Sequence, residues 1–497
     1  MKTICCLALL LPLALRLPAQ FTLGGKTPQK GDTLVQVNTP VVYGFNRENT
    51  VDISIGKTGT FNVILPVKGQ KFVSLIYRRQ FYTLLLTEGK DLRVEPGEKT
   101  LRITGGTASP ENRLLQQLDM DTPPFFMSDT SLAKLSPEAL KEKVLQPFMA
   151  KQEEKFRLIN ASNISARDKK LVASEVKYLG YNYLSDFART QLRDRETINA
   201  FVIEVFDHCM IDPEFVPAGP QYYAFADNYL RYLETKAFVK IRKENIPPGQ
   251  PIPYFGISLD SANTLVQKYG KPYWRWIGSL RHFPQDVTET YTFQEIKNQY
   301  YDKDLNQAQS LASAFMQRFP KSRYNSEIRG MVAELQNRLS ANNNNENIVL
   351  VKDYNNVRSI YEVIKPLKGK VVYLDVWGTW CGPCKEELKH LPGLKAAFAG
   401  KDVAFVYLDM DDESRDALWK NFIRVNDMEG VHLRKNRHSI APFWKELLAG
   451  HPDKAEYYPQ YFLFDKNGKL VVSKARTPSE KGALYEQINA VLNNKSE

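Results

Sequence analysis

Residues 371–388, VVYLDVWGTWCGPCKEEL, constrain the fold more than any other stretch. A β-branched, apolar run ends in an acid and a tryptophan, a short turn follows, and CGPCKEELKHL continues as a helix. Pro383 fits the first turn of that helix, where its missing N–H costs nothing. Around this strand–turn–helix unit the alternation recurs. NIVLV, NVRSIYEVI, KVVYLDVW, GPCKEELKHLPGLKAAF and VAFVYLD read as strand, helix, strand, helix, strand, and a further helix is expected before QYFLFDKNGKLVV. That segment is a hairpin with an Asn-Gly turn, and SEKGALYEQINAVL closes the chain as a helix. Alternating units of this kind predict an α/β domain with a central sheet over 348–497.

A chain of 497 residues is too long for one core. Residues 21–108 predict a β-rich, sandwich-like domain, because DTLVQVN, TVDISI, TFNVILP, KFVSLIY and QFYTLLL are short β-branched and aromatic runs separated by turn residues. In TASPENRLLQQL, Ser109 is placed to cap a helix that has Pro110 at its first position. From 109 to 339 the apolar period becomes that of helices, as in SARDKKLVASEVKYLGYNYLSDFARTQL. QAQSLASAFMQRFPKSRYNSEIRGMVAEL reads as a helix pair without a second copy. SANNNNEN, ending at 347, predicts a linker over 340–347.

The first 20 residues, MKTICCLALLLPLALRLPAQ, have the layout of a secretory signal peptide: Lys2, an apolar segment from Ile4 to Leu15, and Ala19 near the cut. The apolar segment is too short to span a bilayer. Cys5 and Cys6 stand at its beginning rather than just after it, which argues against lipidation. The expected location is therefore the periplasm or cell envelope. The net charge of +11 is dispersed rather than gathered in a basic patch, which argues against nucleic-acid binding. Once the leader is removed, Cys209, Cys381 and Cys384 remain. Cys209, within the apolar pattern FVIEVFDHCMID, reads as a buried small hydrophobe.

A dithiol that shuttles between reduced and disulfide forms needs one exposed sulfur with thiolate character and a second close enough to displace it. Cys381 at a helix start faces free backbone N–H groups and the positive end of the helix dipole, both of which lower a thiol pKa. Cys384, one turn on, is expected to be the more buried, resolving thiol. Zinc would require two further ligands at suitable spacing, and His432 and His438 are too far apart to supply them. A purely structural disulfide would close a strained, reducible loop at this spacing. A peroxidatic cysteine of the peroxiredoxin type would have a different local sequence. The motif calls for no cofactor and no metal.

WGTWCGPC after a strand that contains an acid resembles the active site of the thioredoxin superfamily, and residues 348–497 resemble its TlpA/ResA-like branch. The β-rich front end is similar to the β domains that precede such domains in some Gram-negative envelope proteins. The resemblance implies a thioredoxin-like fold, with Cys381 as attacking nucleophile and Cys384 as resolving cysteine. It implies that Asp375 is a buried acid, its pKa raised by desolvation, that relays a proton for the resolving thiol. Pro459 would be the cis-proline opposite the pair. Trp377, Trp380, Gly382, Pro383 and Tyr458 would line the substrate groove. Tyr458 departs from the small or β-branched residue usual before that proline, and VAFVYLD holds no match for the lysine that thioredoxin places near its acid. Pro459 lies 75 positions after Cys384, which implies an inserted helix-containing segment.

The implied activity is reduction of protein disulfides outside the cytoplasm. The substrate would be a disulfide-containing envelope protein, apocytochrome c among the candidates, and a membrane thiol transporter would be the electron donor. Two other readings stay open. The front end could make this a substrate- or partner-binding envelope protein with an accessory redox domain, or the dithiol could serve an oxidase or isomerase.

Overall fold

The computed structural model describes residues 20–28, 34–98, 100–209, 211 and 218–493. The expected leader, with Cys5 and Cys6, lies outside the described residues up to Ala19, and the first strand begins at Gln20. The chain divides into two compact units, 1–294 and 295–497.

The first unit opens with eight strands: β1 Gln20–Lys26, β2 Leu34–Asn38, β3 Thr50–Ser54, β4 Thr60–Pro66, β5 Gln70–Tyr77, β6 Gln80–Thr87, β7 Asp91–Pro96 and β8 Leu101–Gly105. They form two four-stranded sheets, in the orders β4-β1-β7-β8 and β3-β2-β5-β6. Alternate residues point to a common core: Phe21 and Leu23 of β1, Val35 and Val37 of β2, Leu84 and Leu86 of β6. β1, β7 and β8 add to the five strands expected. The following helix spans Ser109–Gln117 but is not capped by Ser109, whose hydroxyl is buried inside its first turn after Ala108. The long helices Ala166–Thr190 and Pro220–Glu244 then pack together around an aromatic core that includes Tyr178, Phe187, Tyr222 and Phe225. Cys209 falls three residues beyond the helix Arg195–Phe206 and is half-buried, and burial pushes its thiol up to about 11.

In the second unit a six-stranded sheet has the order β14-β13-β10-β11-β12-β9. Its strands are β9 Ile348–Leu350, β10 Val371–Trp377, β11 Val403–Asp409, β12 Gly430–Arg434, β13 Gln460–Phe464 and β14 Leu470–Ser473. β9 to β12 run parallel, and β13 and β14 form the antiparallel edge hairpin. Every residue of β10 is buried, as expected for a central strand covered on both faces. Val371, Tyr373 and Trp377 enter one core, and Val372, Leu374 and Val376 enter the other. Helix residues Trp419, Phe422, Leu484 and Ile488 cover the first face; Ile360, Ile364, Phe443 and Trp444 cover the second.

Two sequence expectations are corrected here. GPCKEELKHLPGLKAAF is not one helix but two, Gly382–Leu388 and Leu391–Ala397. Pro392 lacks the N–H that the first helix would need to continue, and instead occupies the first turn of the second. Residues 340–347 do not separate two bodies. The helix pair Leu305–Arg318 and Asn325–Ala341 belongs to the second unit, where Leu305, Ala308 and Leu335 pack with Val425. The asparagines after it are engaged: Asn342 donates to the Arg424 carbonyl at 2.9 Å and Asn345 to Asp427 at 3.0 Å. A polar run reads as a linker until its amides are seen to satisfy the end of a neighbouring helix.

Candidate active site

β10 ends at the C-terminal end of the parallel strands, and the turn Gly378–Trp380 carries the chain into the helix Gly382–Leu388. Cys381 is the residue immediately before that helix, and it forms a disulfide with Cys384 across a Cα–Cα distance of 5.2 Å. The Cys384 N–H donates to Cys381 Sγ at 3.1 Å. Cys381, expected to be the exposed sulfur, is buried at 4% exposure: both cysteines pack in the core that covers the Trp377 face of the sheet, while Gly382 and Pro383 are exposed. A Cβ at Gly378 would sit 2.8 Å from Trp380 Nε1, so a larger residue there would displace the Trp380 ring.

Asp375 is two residues before Trp377 on β10 and therefore shares the face of the sheet against which both cysteines pack. Its carboxyl is buried and Oδ1 has no hydrogen-bond partner; burial, with Glu387 adding, raises its pKa well above the usual carboxylate range. Its register partners are Tyr407 on β11 and Tyr461 on β13. Tyrosines thus flank the acid on both neighbouring strands. The row continues to His432 on β12, which stacks on Tyr407 with ring centroids 4.7 Å apart. Burial pushes His432 down to about 3, so it is a neutral core residue whose Nε2–H donates to the Met428 carbonyl.

The Tyr458–Pro459 peptide is cis. Tyr458 meets Trp380 edge to face at 5.6 Å, and Trp380 is 50% exposed. Together with Met410 and Ile440 they line a cavity of about 530 Å³ whose rim carries Arg437 and Glu456. Trp377, expected in the substrate groove, is not there. Its side chain is fully buried against Phe422, because its position on β10 directs it into the core.

Residues 359–489 match the Redoxin family. Over 129 residues the chain is 31% identical to the thiol-disulfide oxidoreductase ResA of Bacillus thuringiensis subsp. konkukian, spanning 26% of this chain and 67% of that protein. The chain belongs to the ResA-like branch of the thioredoxin superfamily. A ResA of Bacillus cereus is 34% identical over 109 residues, which make up 22% of this chain, so the chain spans little more than half (56%) of that relative. Among solved structures, the thioredoxin domain of a thiol-disulfide oxidoreductase from Bacteroides vulgatus is 23% identical, with 26% of this chain and 84% of that one covered and a TM-score of 0.21. All of these similarities concern the C-terminal part of the chain.

Beside the family motif, the structure brings in residues that sequence reasoning missed. The Thr379 hydroxyl, in the active-site turn, donates to the buried Asp411 carboxylate and accepts from Arg415 at 3.1 Å. Asp411 is held in turn by its own N–H on Asp409 Oδ1 at 2.9 Å, and Arg434 donates to its carbonyl at 3.0 Å. Burial raises the carboxyls of both Asp409 and Asp411. This cluster ties the turn before Cys381 to the end of β11. The only signal for it in the sequence was the acidic run LDMDD after a parallel strand. Among the described residues, no group of three or more His, Cys, Asp or Glu is arranged to hold a metal ion.

Proposed function

We propose that the chain is an extracytoplasmic thiol-disulfide oxidoreductase that reduces protein disulfides through Cys381 and Cys384. The observation that carries this reading is the bonded cysteine pair at a helix start, backed on the same sheet face by the buried Asp375. In the reduced protein the Cys381 thiolate attacks one sulfur of a substrate disulfide, forming a mixed disulfide and releasing the other substrate sulfur as a thiolate. Cys384 then gives up its proton and attacks Cys381 Sγ, which frees the second substrate thiol and leaves the Cys381–Cys384 disulfide. The carboxylate form of Asp375 accepts that proton, and the oxidised protein is left with Asp375 protonated. Two electrons pass to the substrate and are restored by a donor dithiol, for which a membrane thiol transporter is the expected source. The exposed Trp380 and the cavity beside Tyr458 receive the substrate chain, with envelope proteins such as apocytochrome c as its class.

The names of the relatives support the reaction class. The leader-like first 20 residues support export, and no helix among the described residues is long and apolar enough to cross a membrane. The test is a Cys384→Ser variant expressed in its native compartment. It should accumulate mixed disulfides through Cys381 that a reductant releases and that a Cys381→Ser variant lacks. Recovery of no thiol-linked partner would refute the exchange mechanism.

A further inference from the structure

Lys385 follows Cys384 directly and is 8% exposed. Its backbone N–H donates to the Cys381 carbonyl at 3.1 Å, so this residue is built into the first turn that holds the pair. Its ammonium lies 3.2 Å from Asp304 Oδ2 and 3.8 Å from Asp302 Oδ2, over the face of Phe422. Asp304 is itself 5% exposed. It is held in place by Gln307, whose backbone N–H donates to Oδ1 at 3.2 Å and whose side-chain amide donates to Oδ2 at 2.7 Å. Asp302 is the more accessible partner, with a side chain 29% exposed. Both acids stand upstream of the residues that match the family, at the start of the helix Leu305–Arg318. The pairing is therefore a feature of this chain's own extension.

A buried ammonium one residue from a redox-active cysteine has two options. If it is unpaired, its charge stabilises thiolates, which lowers a thiol pKa and favours the reduced pair. If it is paired with a fixed carboxylate, that field is largely cancelled. A buried charge also requires a partner at close range to be tolerated at all.

We propose that Asp304 is a positioning residue of the redox centre: through its buried ion pair with Lys385 it cancels the cation carried by the residue that follows Cys384 and keeps the couple reducing. The helix pair that precedes the redox domain thereby supplies part of the active unit rather than a tether. This inference rests on the reading of Cys381 and Cys384 as the working dithiol.

The test is a redox titration of the full-length protein against glutathione buffers at pH 7, with the rate of Cys381 alkylation followed against pH. Asp304→Asn leaves Lys385 undercompensated. It should raise the potential by about 30 mV, a tenfold change in the exchange equilibrium, and lower the Cys381 thiol pKa. Lys385→Met leaves the acids undercompensated and should move both quantities the opposite way, and the double variant should return toward wild type. A purely structural ion pair would lower stability in each single variant but move neither potential nor thiol pKa. Folded single variants with wild-type values would therefore overturn the inference while leaving the dithiol reading intact. Should Asp304→Asn fail to fold, the downward shift in Lys385→Met carries the test alone. A wild-type protein that does not equilibrate with glutathione would remove the dithiol reading itself, and the inference with it.

Discussion

Replacing Asp375 by asparagine isolates the energetics of the buried acid. Asparagine keeps the shape of the protonated carboxyl and removes only its ionisation. In the folded protein the Asp375 pKa is raised well above the usual range by burial, while in the unfolded chain it returns to about 3.9. Above that unfolded value the folded state holds a proton that the unfolded state has released. The stability that the acid contributes is thus fully present below about pH 4 and is lost as pH rises toward the folded value. The slope is about 1.4 kcal/mol per pH unit for one proton. Asp375→Asn should therefore gain on the wild type by about 1.4 kcal/mol for each unit from pH 5 upward, until Asp375 ionises in the folded state. Other buried acids, Asp409 and Asp411 among them, contribute equally to both proteins and cancel in the difference. The assay is urea unfolding of the oxidised proteins, so that no thiol titrates, followed by tryptophan fluorescence. Four of the six tryptophans, at 377, 380, 419 and 444, report on the second unit. A stability difference that stays constant between pH 5 and 7 would show that Asp375 is not held protonated, and its assignment as proton acceptor would fall.

Trp380→Ala should lower kcat/KM on a protein disulfide by about tenfold, in line with losing an exposed aromatic anchor, and leave reduction of a small aliphatic disulfide nearly unchanged. Parallel kinetics on both substrates check this. Trp419 is fully buried in the core on the cysteine face of the sheet, so Trp419→Ala should destabilise the second unit by about 3–5 kcal/mol in the same urea assay. Ser359 and Glu362 cap the helix Ile360–Ile364 reciprocally, and Ser359→Ala should cost about 1 kcal/mol with no effect on the redox potential.

Much of the redox domain was legible because its signals are local. β10 is a continuous apolar run interrupted only by Asp375, and the residues around the cysteines carry turn and helix-start chemistry in sequence order. Strands whose patterns are short or polar escaped: β1 contains Gly24 and Gly25, and β12 buries His432 and Arg434. What escaped entirely depends on pairing across the sheet or between distant segments. No local pattern says that Tyr407 and Tyr461 flank Asp375, that Thr379 rests on Asp411, or that Lys385 finds Asp304 some eighty residues upstream. Trp377 was misplaced for a related reason. The family resemblance suggested the groove, whereas the two-residue period of the strand sends it into the core.

The most direct test of a reductase built on Cys381 and Cys384 is the midpoint potential of that couple, measured by equilibration with glutathione or dithiothreitol buffers. A Gly-Pro pair between the cysteines resembles reducing thioredoxins, so a reversible two-electron transition near about −270 mV is expected. A value near about −120 mV would make the protein a donor of disulfides, and no reversible transition at all would contradict thiol-disulfide exchange as its chemistry.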